Sequence, residues 1–383
     1  RRGQIETVGA GDGLVTFSHL DIELMRRALV LARRGEGSVE PNPMVGCVIV
    51  FQGRVIGEGW HRRAGEPHAE VIAVESVKDK SLLRDSELYV NLEPCSHHGK
   101  TPPCADLIVR HQIPRVYIGT TDDNELVSGK GIERLRANGV EVVTGILEAE
   151  CRTLNRRFFT FHNKKRPYVI LKWAESSDGF MFPSVRESEA RGPVWISNVF
   201  SRQLVHKWRA EEQAILVGTQ TVIADDPGLT VRDFSGDPIL RVVIDPHLET
   251  SSESKVFKGD IETLLFHDSD FNTSSEARSH NENVKQVGLD FDQNVPAQIL
   301  NYLWQIGIQS LIVEGGAITL KGFVESGLWD EGRIFIGASI LQDGGRPPDL
   351  SDFSVKEQRI GDDRLVWVRN ESVRRDTGAK TEA

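Results

Sequence analysis

Three metal-binding side chains and one carboxylate form the strongest chemical pattern in the sequence. His68 and Glu70 flank an alanine, Pro94 precedes Cys95, and Cys104 follows nine residues later. One imidazole and two thiolates make a three-ligand zinc set that leaves a fourth position open for water, as catalytic sites require. Glu70 can approach that water without being a ligand, which is the role of the glutamate in the H-x-E…P-C-x-x-C signature of zinc nucleobase deaminases, although here eight residues and not two separate the cysteines. The pattern predicts a hydrolytic deaminase with Glu70 as its catalytic acid and base.

Predicted helices and strands place these residues at element ends. His68 opens a helix at 68–77, a strand at 88–92 ends just before Cys95, and Cys104 lies in the first turn of a helix at 102–110. A helix N-terminus carries partial positive charge, which favours thiolate over thiol. The other elements predicted in this half are helices at 22–33, capped by Asp21, and at 131–137, and strands at 45–51, 54–56, 116–119 and 140–144, with a hairpin turn at Gln52-Gly53.

The second half predicts another α/β series after a polar, arginine-rich segment at 151–167 that reads as a connector. Strands are predicted at 168–173, 214–217, 240–244, 263–266, 310–313, 333–336 and 365–368, and helices at 199–208 (capped by Ser197), 297–305 and 319–326. Residues 221–232 read as a polar turn and 268–286 as a surface loop. We expect two α/β domains at 19–150 and 166–370, with flexible termini at 1–18 and 371–383.

The composition and net charge of the chain limit which kinds of binding partner we expect. Hydrophobic residues make up 39% and charged residues 27%, which is typical of a folded soluble protein. Lys+Arg 46 minus Asp+Glu 56 gives −10, and an acidic surface disfavours binding to nucleic acids. No apolar run approaches the ~20 residues needed to span a bilayer. We expect a cytoplasmic enzyme with a small-molecule substrate and no nucleic-acid or membrane partner; a homo-oligomer is left open.

The loop between the two cysteines resembles that of one family. Pro-Asn-Pro-Met-Val-Gly at 41–46, His-Ala-Glu at 68–70 and PCSHHGKTPPC at 94–104 match the pattern PNPxVG…HAE…PCxHxGxTPPC of riboflavin-pathway pyrimidine deaminases, usually fused to a reductase. The resemblance implies a cytidine-deaminase-like three-layer domain with one zinc ion. It implies hydrolytic deamination of 2,5-diamino-6-ribosylamino-4(3H)-pyrimidinone 5′-phosphate. The residues that it places at this substrate are Asn42, His97, Lys100, Thr101 and Asn124.

Four segments of the second half resemble, in order and spacing, the reductase domain of the same family. They lie at 172–179, 195–198, 221–232 and 313–320, and the sequence has no G-x-G-x-x-G or Walker loop. The resemblance implies a dihydrofolate-reductase-like domain that uses NADPH to reduce the ribosyl group to ribityl. It places the cofactor at Ala174, Trp195, Thr221, Asp225, Gly316, Ala317, Ile318 and Thr319, and the substrate at Arg209, Leu229, Arg232 and Glu314.

Three other interpretations remain open at this stage. The chain could be a zinc pyrimidine deaminase alone, with an inactive or repurposed reductase-like domain. It could be a non-catalytic module that zinc stabilises, although no fourth Cys or His is well spaced. It could deaminate bases in nucleic acids, which the net charge opposes. The bifunctional enzyme is the favoured interpretation because the resemblance covers residues 19–370.

Overall fold

The computed structural model describes residues 5–7, 16–96, 102–123, 128–184, 194–271 and 281–370. The chain divides into two units, Arg1–Lys165 and Arg166–Ala383. No helix in the described ranges is long and apolar enough to cross a membrane.

The described part of the first unit contains a two-stranded ribbon and a five-stranded sheet. Its strands are β1 (Ile5–Thr7), β2 (Thr16–Ser18), β3 (Gly46–Phe51), β4 (Arg54–Trp60), β5 (Glu87–Leu92), β6 (Arg115–Thr120) and β7 (Glu141–Thr144). Its α-helices are α1 (His19–Ala32), α2 (Ala69–Ser76), α3 (Cys104–Arg110), α4 (Lys130–Ala137), α5 (Glu148–Leu154) and α6 (Arg156–Lys164), and 3₁₀ turns lie at Arg33–Gly35 and Lys80–Asp85. The sheet order is β4-β3-β5-β6-β7.

Alternation along the central strands builds two cores, one on each face of this sheet. Val48, Val50 and Tyr89 pack with α1 and α5, whereas Cys47 and Ile49 pack with α2, α3 and α4. Strand β3 is antiparallel to β4 and β5, and β5, β6 and β7 are parallel. The unit is therefore a three-layer α/β/α fold, and the carboxyl ends of β5 and β6 meet at one edge.

Two sequence-based expectations for this unit are wrong. Ser18, not Asp21, caps α1. The Ser18 hydroxyl accepts from the Asp21 N–H, and the Asp21 side chain in turn accepts from the Ser18 N–H, which completes a capping box. The expected connector at 151–167 folds as α5 and α6. Its apolar residues Leu154 and Phe158 are buried on one side of the helices, while its many arginines obscured that pattern in the sequence.

The described part of the second unit contains a nine-stranded sheet in the order β12-β11-β10-β9-β13-β8-β14-β16-β15. The strands are β8 (Tyr168–Glu175), β9 (Ala214–Gly218), β10 (Leu240–Ile244), β11 (Thr263–Asp268), β12 (Val284–Leu289), β13 (Ser310–Val313), β14 (Glu331–Ile336), β15 (Val355–Ile360) and β16 (Asp363–Arg369). The α-helices are α7 (Val199–Glu211), α8 (Thr219–Asp225), α9 (Val295–Gln305) and α10 (Ala317–Glu325), with a 3₁₀ turn at Lys255–Phe257.

The seven strands from β12 to β14 in this order are parallel, and β16 and β15 complete the sheet as antiparallel neighbours. Helices α9 and α10 cover one face, and α7 and α8 cover the other. Parallel sheets bind ligands at the carboxyl ends of their strands. Residues that follow β8, β9 and β13 therefore share the edge where a ligand is expected.

Three expectations for this unit are corrected. Residues 221–225 of the expected polar turn belong to α8, and Val284 to Gln286 of the expected loop belong to β12. Asn198, not Ser197, caps α7, because its side chain accepts from the Ser201 N–H at 3.0 Å. The sequence did not predict strand β15, because almost all of its residues are exposed and most are polar.

Candidate active sites

His68, Cys95 and Cys104 converge as the spacing predicts. His68 Nδ1 lies 3.3 Å from Cys104 Sγ and 3.6 Å from Cys95 Sγ, and all three ligand atoms lie within 4.8 Å of one another. His68 precedes α2, Cys95 follows β5, and Cys104 is the first residue of α3. The Cys104 backbone N–H donates to Cys95 Sγ at 3.3 Å, so the helix terminus faces the sulfur.

Hydrogen bonds within the cluster divide its protons unequally in the metal-free protein. The Cys104 thiol, against the effect of burial, lowers the pKa of Cys95 to about 4, with help from His68. The hydrogen bond to Cys95 and burial raise the pKa of Cys104 well above its usual value. The hydrogen bond to Cys95, opposed by burial, raises the pKa of His68 to about 8. The cluster therefore already holds one thiolate near neutral pH.

Glu70 is the acid–base candidate beside this cluster. Its side chain is 3% exposed, and Oε2 has no hydrogen-bond partner among the described residues. Burial, and the charge on Cys95, raise the pKa of the carboxyl group. Gly59 allows α2 to lie directly on β4, because a Cβ there would stand 2.4 Å from the Ala69 carbonyl oxygen.

The donor set and the Glu70 Oε2 atom, which accepts no hydrogen bond among the described residues, fit a zinc ion with an open position. Two sulfurs and one imidazole nitrogen are the donors that zinc prefers, and three of them leave room for a water molecule that Glu70 could reach. Within the described residues, His68, Cys95 and Cys104 are the His, Cys, Asp or Glu side chains that lie close enough together, in a group of three, to hold a metal ion.

The expected pyrimidine contacts lie partly within the described residues. Asn42 Nδ2 is 3.0 Å from His61 Nε2, and His61 Nδ1 is 3.2 Å from the Pro67 carbonyl oxygen. His61 was not among the predicted site residues, because the predicted strand ended at Ile56, whereas β4 reaches Trp60. His97, Lys100, Thr101 and Asn124 lie outside the described residues.

A buried charge cluster lies at the carboxyl edge of the second sheet. Arg209 Nη2 donates to Glu314 Oε2 at 2.8 Å, and Lys172 Nζ lies 3.8 Å from the same oxygen. Burial would raise the pKa of Glu314, but the positive charges of Arg209 and Lys172 outweigh it and lower the pKa to about 2. Burial lowers the pKa of Lys172, and Arg209 adds to that effect while Glu314 opposes it. Glu314 is therefore ionised at neutral pH, and the pKa of Lys172 lies below its usual value.

Lys172 was missed as a site residue, although the sequence carried a signal. It is a lysine within the otherwise apolar part of β8 that precedes Glu175, and lysines are rarely buried unless they are paired. Its partner Glu314 follows a strand that is next to β8 in the sheet but 142 positions later in the chain (314 − 172).

Glycines bring the expected cofactor residues together. A Cβ on Gly218 would stand 2.5 Å from Thr319 Oγ1, and one on Gly315 would stand 2.5 Å from Thr319 Cβ. Gly316 opens α10 with no side-chain cap, and a Cβ there would meet only Thr221 Oγ1, at 3.5 Å. The first N–H groups of a helix attract phosphate, so the strand end, both hydroxyls and α10 fit a pyrophosphate group.

The remaining expected residues occupy varied positions. Ala174 lies near the end of β8, Asp225 ends α8, and Leu229 is buried after it. Trp195 is 62% exposed, with the Arg202 guanidinium 4.6 Å from its ring centroid. The others lie on the α10 turn or in the loop after Leu229: Ala317 is partly buried, Ile318 is 84% exposed, and Arg232 is exposed.

Family models match both units in the order that the sites define, a zinc-type deaminase followed by a reductase. The "Cytidine and deoxycytidylate deaminase zinc-binding region" matches residues 18–120, and the "RibD C-terminal domain" matches residues 167–372. The chain belongs to the RibD family of riboflavin biosynthesis proteins, with relatives at 35–40% identity over most of its length. The predicted order of the two α/β domains is thereby confirmed.

Relatives and solved structures agree with this assignment. The riboflavin biosynthesis protein RibD of Aquifex aeolicus is 38% identical over 361 residues, covering 91% of this chain and 98% of that protein. A crystal structure of a diaminohydroxyphosphoribosylaminopyrimidine deaminase/5-amino-6-(5-phosphoribosylamino)uracil reductase from Thermotoga maritima has a TM-score of 0.80 at 36% identity, covering 92% of this chain and 99% of that one. RibD of Acinetobacter baumannii has a TM-score of 0.78 at 31% identity, covering 91% and 98%.

Proposed function

We propose that the chain performs two successive steps of riboflavin biosynthesis. The first unit replaces the 2-amino group of 2,5-diamino-6-ribosylamino-4(3H)-pyrimidinone 5′-phosphate by oxygen and releases ammonia. The second unit reduces the ribosyl side chain of that product to ribityl. The observation that carries the proposal is the convergence of His68, Cys95 and Cys104 beside Glu70, whose Oε2 has no hydrogen-bond partner among the described residues.

In the deaminase step, Glu70 moves the protons. A zinc ion held by His68, Cys95 and Cys104 would, when bound, lower the pKa of a water molecule and polarise it for attack. Glu70 accepts a proton from the attacking water and passes it to the ring nitrogen. It then takes the second proton from the hydroxyl group now on C2 and gives it to the amine as the carbon–nitrogen bond breaks and ammonia leaves. Because burial raises the pKa of Glu70, the carboxyl group releases that proton less readily to solvent. We place Asn42, with His97, Lys100, Thr101 and Asn124, against the pyrimidine and the ribose phosphate.

In the reductase step, Lys172, Arg209 and Glu314 act on the ribosylamine. NADPH would, when bound, supply the hydride. The C1′–O4′ bond of the ribosyl ring breaks as C1′ is reduced, and Lys172, whose pKa burial lowers and which lies beside the ionised Glu314, can donate the proton that the leaving ring oxygen takes up. Arg209 holds the Glu314 carboxylate, and we place Leu229 and Arg232 with them at the substrate.

We place NADPH along the glycine-rich edge of the second sheet. Thr221, Gly316 and Thr319 would contact the pyrophosphate with the first turn of α10, which includes Ala317 and Ile318. Ala174, Trp195 and Asp225 would line the rest of the cofactor site.

Product analysis tests both halves. The protein is incubated with the diaminopyrimidine phosphate, with and without NADPH, and ammonia and pyrimidine products are identified by mass spectrometry. We expect ammonia and the deaminated ribosyl compound without NADPH, and the ribityl compound with it. Absence of ammonia would contradict the deaminase, and deamination without ribityl product would leave the second unit inactive on this substrate.

A further inference from the structure

Both peptide groups of Met44 are held by buried side chains from remote parts of the first unit. The Met44 N–H donates to Asn155 Oδ1 at 2.8 Å, and Asn155 Nδ2 donates to the Met44 carbonyl at 2.9 Å. Asn91 Nδ2 donates to the same carbonyl at 3.0 Å, and the Gly46 N–H donates to Asn91 Oδ1 at 2.8 Å. Asn155 is 2% exposed and Asn91 is 0% exposed. Met44 follows the segment 41–43 directly, so these bonds fix where that segment joins the sheet.

Asn155 makes these contacts at the expense of a local role. It occupies the N-cap position of α6, where an asparagine normally accepts a hydrogen bond from an N–H of its own helix. No such cap bond forms among the described residues; the side chain reaches instead to Met44, 111 residues earlier. The helix therefore forgoes its side-chain cap so that one amide can satisfy both peptide groups of a distant residue.

Other contacts from α5 and α6 reach neighbouring loops of the same unit. Arg152 and Asn163 both bind the Asp123 carboxylate, Asn163 at 2.8 Å. Arg157 Nη1 lies 3.8 Å from Glu36 Oε1. These helices lie beyond residues 18–120 that match the deaminase model, yet they hold loops that precede and follow its strands.

We propose that Asn155 is a positioning residue of the deaminase site. By holding Met44, it sets the place of Asn42, whose own N–H closes a turn to the Val39 carbonyl at 2.8 Å and whose side chain meets His61. This inference rests on the proposed function, because the contact between Asn42 and the pyrimidine is part of that proposal. It adds that a residue of α6 controls substrate binding without touching the substrate.

Two variants separate positioning from helix capping. Asn155→Ser and Asn155→Asp both retain a good N-cap residue. Serine is too short to reproduce both amide bonds to Met44, and an aspartate oxygen would face the Met44 carbonyl oxygen, where no hydrogen bond can form. The matched control is Asn138→Asp, at an exposed helix end where the side chain donates to the Arg134 carbonyl at 2.8 Å.

Steady-state kinetics of both reactions, with zinc content, provide the test. For both Asn155 variants we expect the KM of deamination to rise roughly tenfold while kcat changes less than about threefold, as expected when substrate binding but not chemistry is disturbed. Reduction by the same chain and zinc per chain should match the wild type and Asn138→Asp. Hydrogen exchange of the peptide containing Met44 should become faster in both variants.

Three results would overturn the inference. Deamination kinetics equal to those of the Asn138→Asp control would show that Asn155 does not position the site. A parallel loss of deamination, reduction and zinc would show a general structural role. A wild-type chain that reduces but does not deaminate would remove the proposed function itself, and the inference with it.

Discussion

Replacing Glu70 by glutamine separates the chemistry of the deaminase site from its architecture. The side chain keeps its size, and the metal ligands His68, Cys95 and Cys104 are untouched. The amide cannot carry protons between water, ring nitrogen and leaving amine. Because Glu70 is 3% exposed, no bulk water can take over that task. The loss should therefore lie at the upper end of the range for general acid–base catalysis, a ~10⁴-fold fall in kcat, or about 5.4 kcal/mol.

Stability should move differently from activity. Burial raises the pKa of Glu70 above its usual value of 4.5, so the folded metal-free protein holds this proton more tightly than the unfolded chain. For such an acid, stability is fully present below the unfolded pKa and is lost as pH rises through the folded pKa. Above the folded-state pKa of Glu70, the wild type contains an ionised buried carboxylate, which destabilises it. Glutamine removes that charge. In the metal-free protein, the urea concentration at which Glu70→Gln unfolds should therefore rise, relative to that of the wild type, as the pH is raised.

The assay follows ammonia release, zinc per chain and urea unfolding for wild type, Glu70→Gln and the control Glu75→Gln. Glu75 is exposed on the same helix and should leave all three measurements unchanged. A Glu70→Gln turnover within tenfold of the wild type would refute the role of Glu70 as proton carrier. Loss of zinc or of stability together with activity would show instead that the carboxylate is structural.

The other predictions concern the metal ligands and the reductase cluster. At about pH 6.5 the metal-free site holds protons on His68 and Cys104 but not on Cys95, so zinc binding should release about two protons. Calorimetry in buffers of different ionisation enthalpy measures that number. Release of one proton or none would contradict the proton assignment. Cys104→Ser should lose most of its zinc by elemental analysis and retain reduction. Glu314→Gln removes the counter-charge of Lys172, so kcat/KM of reduction should fall roughly 100-fold and the pH optimum of reduction should shift downward. The rate of deamination should stay within twofold of the wild type. An unchanged pH profile of reduction would exclude Lys172 as proton donor.

The zinc ligands could be predicted from sequence because each lies next to a local signal. A proline precedes each of His68, Cys95 and Cys104, and proline indicates the start or the end of a helix or strand even in a single sequence. The residues that support these ligands carried no such signal. Asn155 and Met44 meet across 111 positions, and only the packing of α6 brings them together.

Strand predictions succeeded in the buried sheet centre and failed at its edges. Strands such as β9 are apolar throughout because helices cover both faces, so a short apolar run predicts them. Strands β12 and β15 lie at opposite edges of the sheet. Half of the residues of β12 are exposed, and its first three were predicted as part of a loop; β15 is almost wholly exposed and was not predicted. Helix α8 was read as a turn because Asp225 and Asp226 dominate its end, although Val222 anchors it in the core.

The acidic chain and its phosphate-bearing substrate are reconciled by local charge. A net charge of −10 repels anions at long range, but exposed charges are screened beyond ~8 Å at physiological ionic strength. At the reductase edge, Arg209 pairs with Glu314, and Lys172 lies 3.8 Å from the same carboxylate. With Lys172 protonated, these three groups carry one net positive charge where burial reduces screening. A phosphate ester that fits this edge is attracted, whereas a nucleic acid spread over the acidic surface is repelled.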